Sequence, residues 1–86
     1  MKIIKYDEEK RKKLIEERGI DLLEIVYMIE SKNYLDILQN PTRPHQKLFI
    51  LKLNGYICCV PFVEDDTKIF LKTARYDRKY NKYFNS

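Results

Sequence analysis

Lys68, Phe70 and Lys72 alternate along the stretch KIFLKTAR, and Arg75 closes it. Alternate residues of a strand face the same side. An extended reading therefore sets an aromatic ring between two cations on one sheet face, with Ile69, Leu71 and Thr73 on the other. Cations hold phosphates and rings stack on unpaired bases, so this interleaving suits single-stranded RNA. The competing reading packs Phe70 beneath the C-terminal element and leaves the lysines solvated. Arg75, just past the strand, can fork onto a phosphate through two parallel hydrogen bonds. Arg78 follows about one helical turn later on a similar side, and Lys79 and Lys82 continue the basic run. Tyr76, Tyr80 and Tyr83 can stack, hydrogen-bond, or anchor a helix on the sheet.

His45 is the single histidine and sits beside Arg43, Gln46 and Lys47. Imidazole titrates near neutrality, which makes His45 a candidate general base, although an exposed loop position explains it equally. The sequence shows no Ser-His-Asp set, glycine-rich phosphate loop or carboxylate pair at metal-ligand spacing. No metal or cofactor is expected. Glu64-Asp65-Asp66 reads as a solvated turn.

With 86 residues, the chain suits one small domain that can build a shallow groove rather than a deep site. Apolar residues make up 44% and charged residues 35%, enough hydrophobicity to fold. The net charge of +4 favours a polyanion or an acidic partner. It is unevenly spread. Residues 75–86 carry four cations against Asp77 alone, while residues 20–40 carry four carboxylates against Lys32. Cys58 and Cys59 are adjacent, so in a strand they point to opposite faces and cannot bridge each other. They read as buried hydrophobes in a reducing compartment. No leader or membrane-spanning run is legible, and the cytoplasm is the expected location.

The elements that must position these side chains follow from local signals. Lys2–Tyr6 reads as a strand. Asp7 caps a charged helix that runs to Arg18, turns Leu14 and Ile15 inward, and stops at Gly19. Ile20 and Asp21 open a second helix, with Leu22, Ile25, Val26 and Ile29 on one buried face. That helix is too apolar on too many sides to be a DNA-recognition helix. Tyr34–Gln39 reads as a strand with Leu35 and Ile37 on one face, and residues 40–46, NPTRPHQ, as an irregular loop. Lys47–Leu53 and Tyr56–Val63 form a hairpin about Asn54-Gly55. Lys68–Ala74 returns, and Tyr76–Phe84 forms a short helix. Pro61 removes a ladder donor, so a bulge, or a strand end near Val60, is expected there. The order β-α-α-β-β-β-β-α gives an α+β fold, an antiparallel sheet packed on two helices.

Several stretches together resemble the BrnT-like toxins, a branch of the RelE/ParE superfamily of type II toxin–antitoxin systems. They are IIKYDEEK, ERGIDLLEIV, the NP loop, QKLFILKLNGYICCVPFVED and LKTAR. They cover nearly the whole chain in order, though each alone is weakly specific. The resemblance implies a RelE/ParE-like sheet with helices and an endoribonuclease that inhibits translation by cutting mRNA, free or on the ribosome. It also implies a cognate antitoxin encoded next door, and a homodimer is possible. Family toxins cut without metal. Basic groups neutralise the scissile phosphate while the 2′-hydroxyl of the RNA attacks it. LKTAR matches the family's strand-end arginine pattern, which assigns Arg75, with Lys72 beside it, to the phosphate. His45 or Tyr80 would move the proton, and Lys68, Phe70, Arg78, Lys79, Lys82 and Arg43 would hold RNA. Two positions depart from the family. Arg18 stands where a histidine often precedes the glycine, and Asp77 is displaced from the usual acidic position of the tail. The missing acid/base pair leaves a second reading, a module that binds RNA or an acidic partner without cutting.

Overall fold

The computed structural model describes residues 2–85. The chain is α+β, with element order β1 (Ile3–Tyr6), α1 (Glu8–Arg18), α2 (Leu22–Glu30), β2 (Asp36–Gln39), β3 (Lys47–Leu53), β4 (Tyr56–Glu64), β5 (Lys68–Leu71), β6 (Arg75–Tyr76) and a 3₁₀ tail (Arg78–Asn85). The strands form one six-stranded sheet in the order β1-β5-β4-β3-β2, with β6 paired to β4 beyond the end of β5.

The helices begin and end where short polar and small residues require it. The Asp7 carboxylate accepts from the N–H groups of Glu9 and Lys10, and Asp21 accepts from Leu23 N–H. These caps satisfy donors that the first turn leaves unpaired. Gly19 takes the left-handed conformation at φ 66°, and its N–H donates to the Ile15 carbonyl. Ile20 N–H then reaches back to Leu14. Arg11 joins the two helices by donating from Nε and Nη2 to the Asp21 carboxylate at 2.7 and 3.2 Å. This contact holds Asp21 below its ordinary carboxylate value.

Side-chain alternation gives the sheet two differently covered faces. Phe49, Leu51, Leu53, Cys58, Val60, Phe62 and Leu71 pack beneath Leu14, Ile20, Leu22, Ile25, Val26 and Ile29 of the helical layer. On the opposite face Leu48, Ile50, Ile57 and Cys59 are covered by Tyr80 and Tyr83 of the tail. The two cysteines are free, both buried, and split between the two cores. Burial pushes the Cys58 thiol up to about 12.

Several expectations need correction. The sheet is not wholly antiparallel, because β1 runs parallel to β5 with Lys5 beside Phe70. The second strand covers only Asp36–Gln39, and Leu35 and Ile37 remain 46% and 42% exposed at this sheet edge. Ile15 is 42% exposed rather than inward, because α1 buries a single stripe through Leu14. The C-terminal element is a 3₁₀ helix beginning at Arg78, kinked at Tyr80. Tyr80, at the kink, and Tyr83, three residues on, are the two residues that meet the sheet.

Pro61 does not end β4, which continues to Glu64. The bulge lies instead in the facing strand. β4 pairs β5 with Phe62 opposite Leu71, but pairs β6 with Cys59 opposite Arg75. Residues 72–74 thus face only Val60 and Pro61, one residue too many for a regular ladder. Lys72 N–H donates to the Pro61 carbonyl at 2.8 Å. A residue's N–H and C=O leave a strand on the same side, so the donor Pro61 lacks would also have pointed at this segment. The irregular stretch sits where the ladder has no donor to offer. The strand expected over Lys68–Ala74 therefore stops at Leu71, and Ala74, fully buried, fills the core position expected of Thr73.

Gly19→Ala is expected to lower stability by about 1 kcal/mol. A Cβ there meets no neighbour within 4 Å, so the cost is the left-handed backbone alone. A shift of the urea midpoint with an unchanged slope checks it.

Candidate nucleic-acid interface

The tail covers only the β2–β4 half of its sheet face. The β1–β5 half is open and carries Lys5, Lys68, Phe70 and Lys72 in consecutive outward positions. Phe70 does not lie beneath the tail. It is half-buried between Lys5 on β1 and Val63 on β4, and Lys72 Nζ stands 5.5 Å from its ring centroid.

The bulge determines where Arg75 points. In a regular strand Arg75 would share a face with Ile69 and Leu71 and enter the helical core. The extra residue reverses the alternation, so Arg75 lies opposite Cys59 on the tail side. It therefore joins Lys72 and Phe70 at the seam between the open half and the tail. Its side chain is 41% exposed, and Nε lies 3.9 Å from Asp77 Oδ2. Two contacts hold the backbone around it. Arg18 Nη1, at the end of α1, donates to the Ala74 carbonyl at 2.8 Å, and Asp77 N–H donates to the Ile57 carbonyl at 3.1 Å. The Asp77 side chain also accepts from Lys79 N–H at 3.0 Å, so one carboxylate both opens the tail and flanks Arg75.

The tail is latched at its far side. Tyr83 donates its hydroxyl to Asp36 Oδ2 at 2.7 Å. The bond draws Asp36 below its ordinary value and raises the Tyr83 phenol. Tyr80 is 8% exposed and belongs to the tail-side core. Arg78, Lys79 and Lys82 are exposed along the tail, with Lys79 and Lys82 Nζ 5.3 and 5.5 Å from the rings of Tyr80 and Tyr83.

Of the residues expected from sequence, Lys68, Phe70, Lys72 and Arg75 share one face, and Arg78 and Lys79 border it. His45 and Arg43 are not brought to them. Both sit in the exposed loop before β3, which is braced by Asn40 Nδ2 donating to Gln46 Oε1 at 3.2 Å. Lys47, where β3 begins, is three positions from Ile50, and Ile50 is two strands across from Arg75. The Lys47 and Arg75 backbones are thus roughly 14 Å apart, with His45 farther out. Tyr80 is near the seam, but its ring is used for packing. Lys5, Arg18 and Asp77 were not assigned to the site from sequence. Lys5 was readable in part, since placing Ile4 and Tyr6 inward turns it outward. Its pairing with Phe70 was not readable.

Among the described residues no three His, Cys, Asp or Glu side chains gather where a metal ion could be held, and no helix is long and apolar enough to cross a membrane. No protein-family model matches the chain, and the comparisons with curated proteins and with solved structures return no match.

Two outcomes test this geometry. Arg18→Ala should cost about 1 kcal/mol of stability. It should also speed amide exchange at Arg75 and Asp77 more than in the central strands β3 and β4, and Arg18→Lys should restore part of the protection. Equal acceleration everywhere would mean Arg18 does not hold the bulge. For Tyr83→Phe, tail protection against proteolysis should lose its pH dependence. In the wild type the depressed Asp36 contributes above its ordinary value of 3.8, and that contribution is lost as pH falls through the folded value. The raised Tyr83 contributes below 10.0, and its contribution is lost as pH rises through its folded value.

Proposed function

We propose that the chain is an endoribonuclease toxin of the BrnT-like, RelE/ParE kind, which inhibits translation by cutting mRNA and is neutralised by a small antitoxin. The observation that carries this reading is the bulge opposite Pro61. It turns Arg75 onto the same open face as Lys72 and Phe70 and away from the core. The face then offers a forked cation, a mobile cation and a ring within one shallow surface, which matches the needs of an RNA backbone with unpaired bases.

In the reaction the 2′-hydroxyl oxygen attacks the adjacent phosphorus. The new O2′–P bond gives a 2′,3′-cyclic phosphate as the P–O5′ bond breaks. The 2′ proton leaves to a base, and the departing 5′ oxygen gains one. Negative charge grows on the non-bridging oxygens as the fifth bond forms. Arg75 and Lys72 neutralise that charge, which is where preorganised cations give most of their rate effect. Asp77 is the carboxylate beside Arg75, its Oδ2 3.9 Å from Nε, a distance that attracts the cation without fixing its direction.

A second reading is favoured by a specific observation: His45 lies at the far end of the sheet from Arg75, and Tyr80 is packed in the core. On that reading the same face binds RNA without cutting it.

Tightly induced expression in bacteria, with mapping of RNA 5′ ends, separates the two. The first expects growth arrest and new 5′ ends. Arg75→Ala should abolish both while the chain stays folded, because removing one such donor costs on the order of hundreds-fold in rate. Persistent arrest in a soluble, folded Arg75→Ala chain would remove Arg75 from the reaction. Normal growth and no new ends with the wild type support binding alone.

A further inference from the structure

We propose that Phe70 is the floor of a subsite for one unpaired nucleobase, set about two nucleotides from the phosphate held by Arg75. The inference rests on the RNA reading of this face and adds where along the strand a base is gripped.

Phe70, Val63, Lys5 and Lys68 line a shallow concavity of about 340 Å³, with Glu64 and Asp65 at its rim. The volume is at the small end of ligand sites. The lining is a ring and an aliphatic wall flanked by two cations, which suits a flat aromatic ligand with a charged backbone nearby. Lys72 Nζ now stands over the Phe70 ring. An exposed cation–π contact is weaker than a base stacked on the same ring. An incoming base therefore displaces Lys72, which is then available to the neighbouring phosphate.

The acidic turn gives the subsite direction. The Asp65 carboxylate is taken up by the N–H groups of Thr67 and Lys68, which hold it as an anion below its ordinary value. A fixed carboxylate at this end repels a phosphate and tolerates a base edge. Arg75 stands at the other end with Lys72 between.

The spacing follows from the ladder. Phe70 lies opposite Val63 and Arg75 opposite Cys59, four residues apart along β4. That is about 13 Å. A stacked strand advances about 3.4 Å per nucleotide and a splayed one roughly twice that; a base that leaves its neighbours to stack on Phe70 needs the splayed form, in which the gap spans about two nucleotides.

The test uses fluorescence anisotropy with a labelled single-stranded 2′-O-methyl oligonucleotide, which has no free 2′-hydroxyl and cannot be cut. Phe70→Leu should weaken binding about tenfold while keeping an apolar side chain, and Phe70→Trp should bind at least as well as wild type. An abasic site moved along the oligonucleotide should weaken wild-type binding sharply at one position, and should do so no longer in Phe70→Leu. This scan uses the wild-type chain, so it reads the subsite even if a variant misfolds. A duplex of the same sequence should bind more weakly, because its bases are not free to stack. If Phe70→Leu binds like wild type while Arg75→Ala is weakened, the subsite is overturned and the RNA reading stands. If wild type binds no single strand, both fall.

Discussion

A proline in the middle of a sheet cannot donate to its neighbour, and here that neighbour is the strand that carries the candidate site. Pro61 is buried in β4, and its carbonyl accepts from Lys72 while its nitrogen offers nothing back. A regular partner strand would leave one acceptor unpaired inside the fold, at a cost of about 1–3 kcal/mol. The one-residue bulge over 72–74 avoids this by lifting the segment out of register. The same slip has a second effect that stability alone does not require. It moves Arg75 from the helical face to the open face. Without it, a guanidinium would enter a core of Cys58, Val60 and Leu71. A single missing N–H thus accounts for both the break between β5 and β6 and the direction of the best-placed cation.

The unequal covering of the sheet makes that direction useful. Two helices seal one face, but the tail is long enough to seal only the β2–β4 half of the other. Its attachments lie at the edges, Asp77 at the seam and Tyr83 on Asp36. Between them Tyr80 closes the small second core. The remaining half-face is left to short-range contacts such as Lys72 over Phe70. A small chain cannot bury every sheet face, and the part left open here is where the cations and the ring are found.

Much of this was legible in sequence wherever the determinant is local. The Asp7 and Asp21 caps, the Gly19 stop and the Asn54-Gly55 turn depend on one or two residues each, and Asn54 and Gly55 both take positive φ as that turn demands. The buried face of α2 and the split of Cys58 from Cys59 follow from periodicity. The Lys68–Phe70–Lys72 face was legible for the same reason. What escaped was non-local. Parallel pairing of β1 with β5 joins four-residue strands more than sixty positions apart, and nothing in IIKY names its partner. Pro61 signalled an irregularity but not which strand would carry it. The side of Arg75 was therefore unreadable, although its identity was not. A short helix over Tyr76–Phe84 is the local expectation, but pairing of Tyr76 with Cys58 draws it into β6, and the tyrosines that meet the sheet, Tyr80 and Tyr83, are three apart.

The cost of gathering Lys5, Lys68, Lys72 and Arg75 on one surface shows which feature carries weight. Two exposed charges roughly 8 Å apart repel by about 0.5 kcal/mol in water, and less once salt screens them. Such a cluster is cheap, and a solvated lysine face needs no ligand to explain it. Arg75 is different in kind. Its flanking backbone is tied to α1 through Arg18 and to β4 through Ile57, and Asp77 stands 3.9 Å from its Nε. An arginine meant only for solubility gains nothing from this. With its backbone fixed on the open face, the arginine has only its side chain left to order when it meets a planar anion. The case for a phosphate at this seam rests on one arginine whose flanking backbone is fixed, and the surrounding lysines add attraction without adding direction.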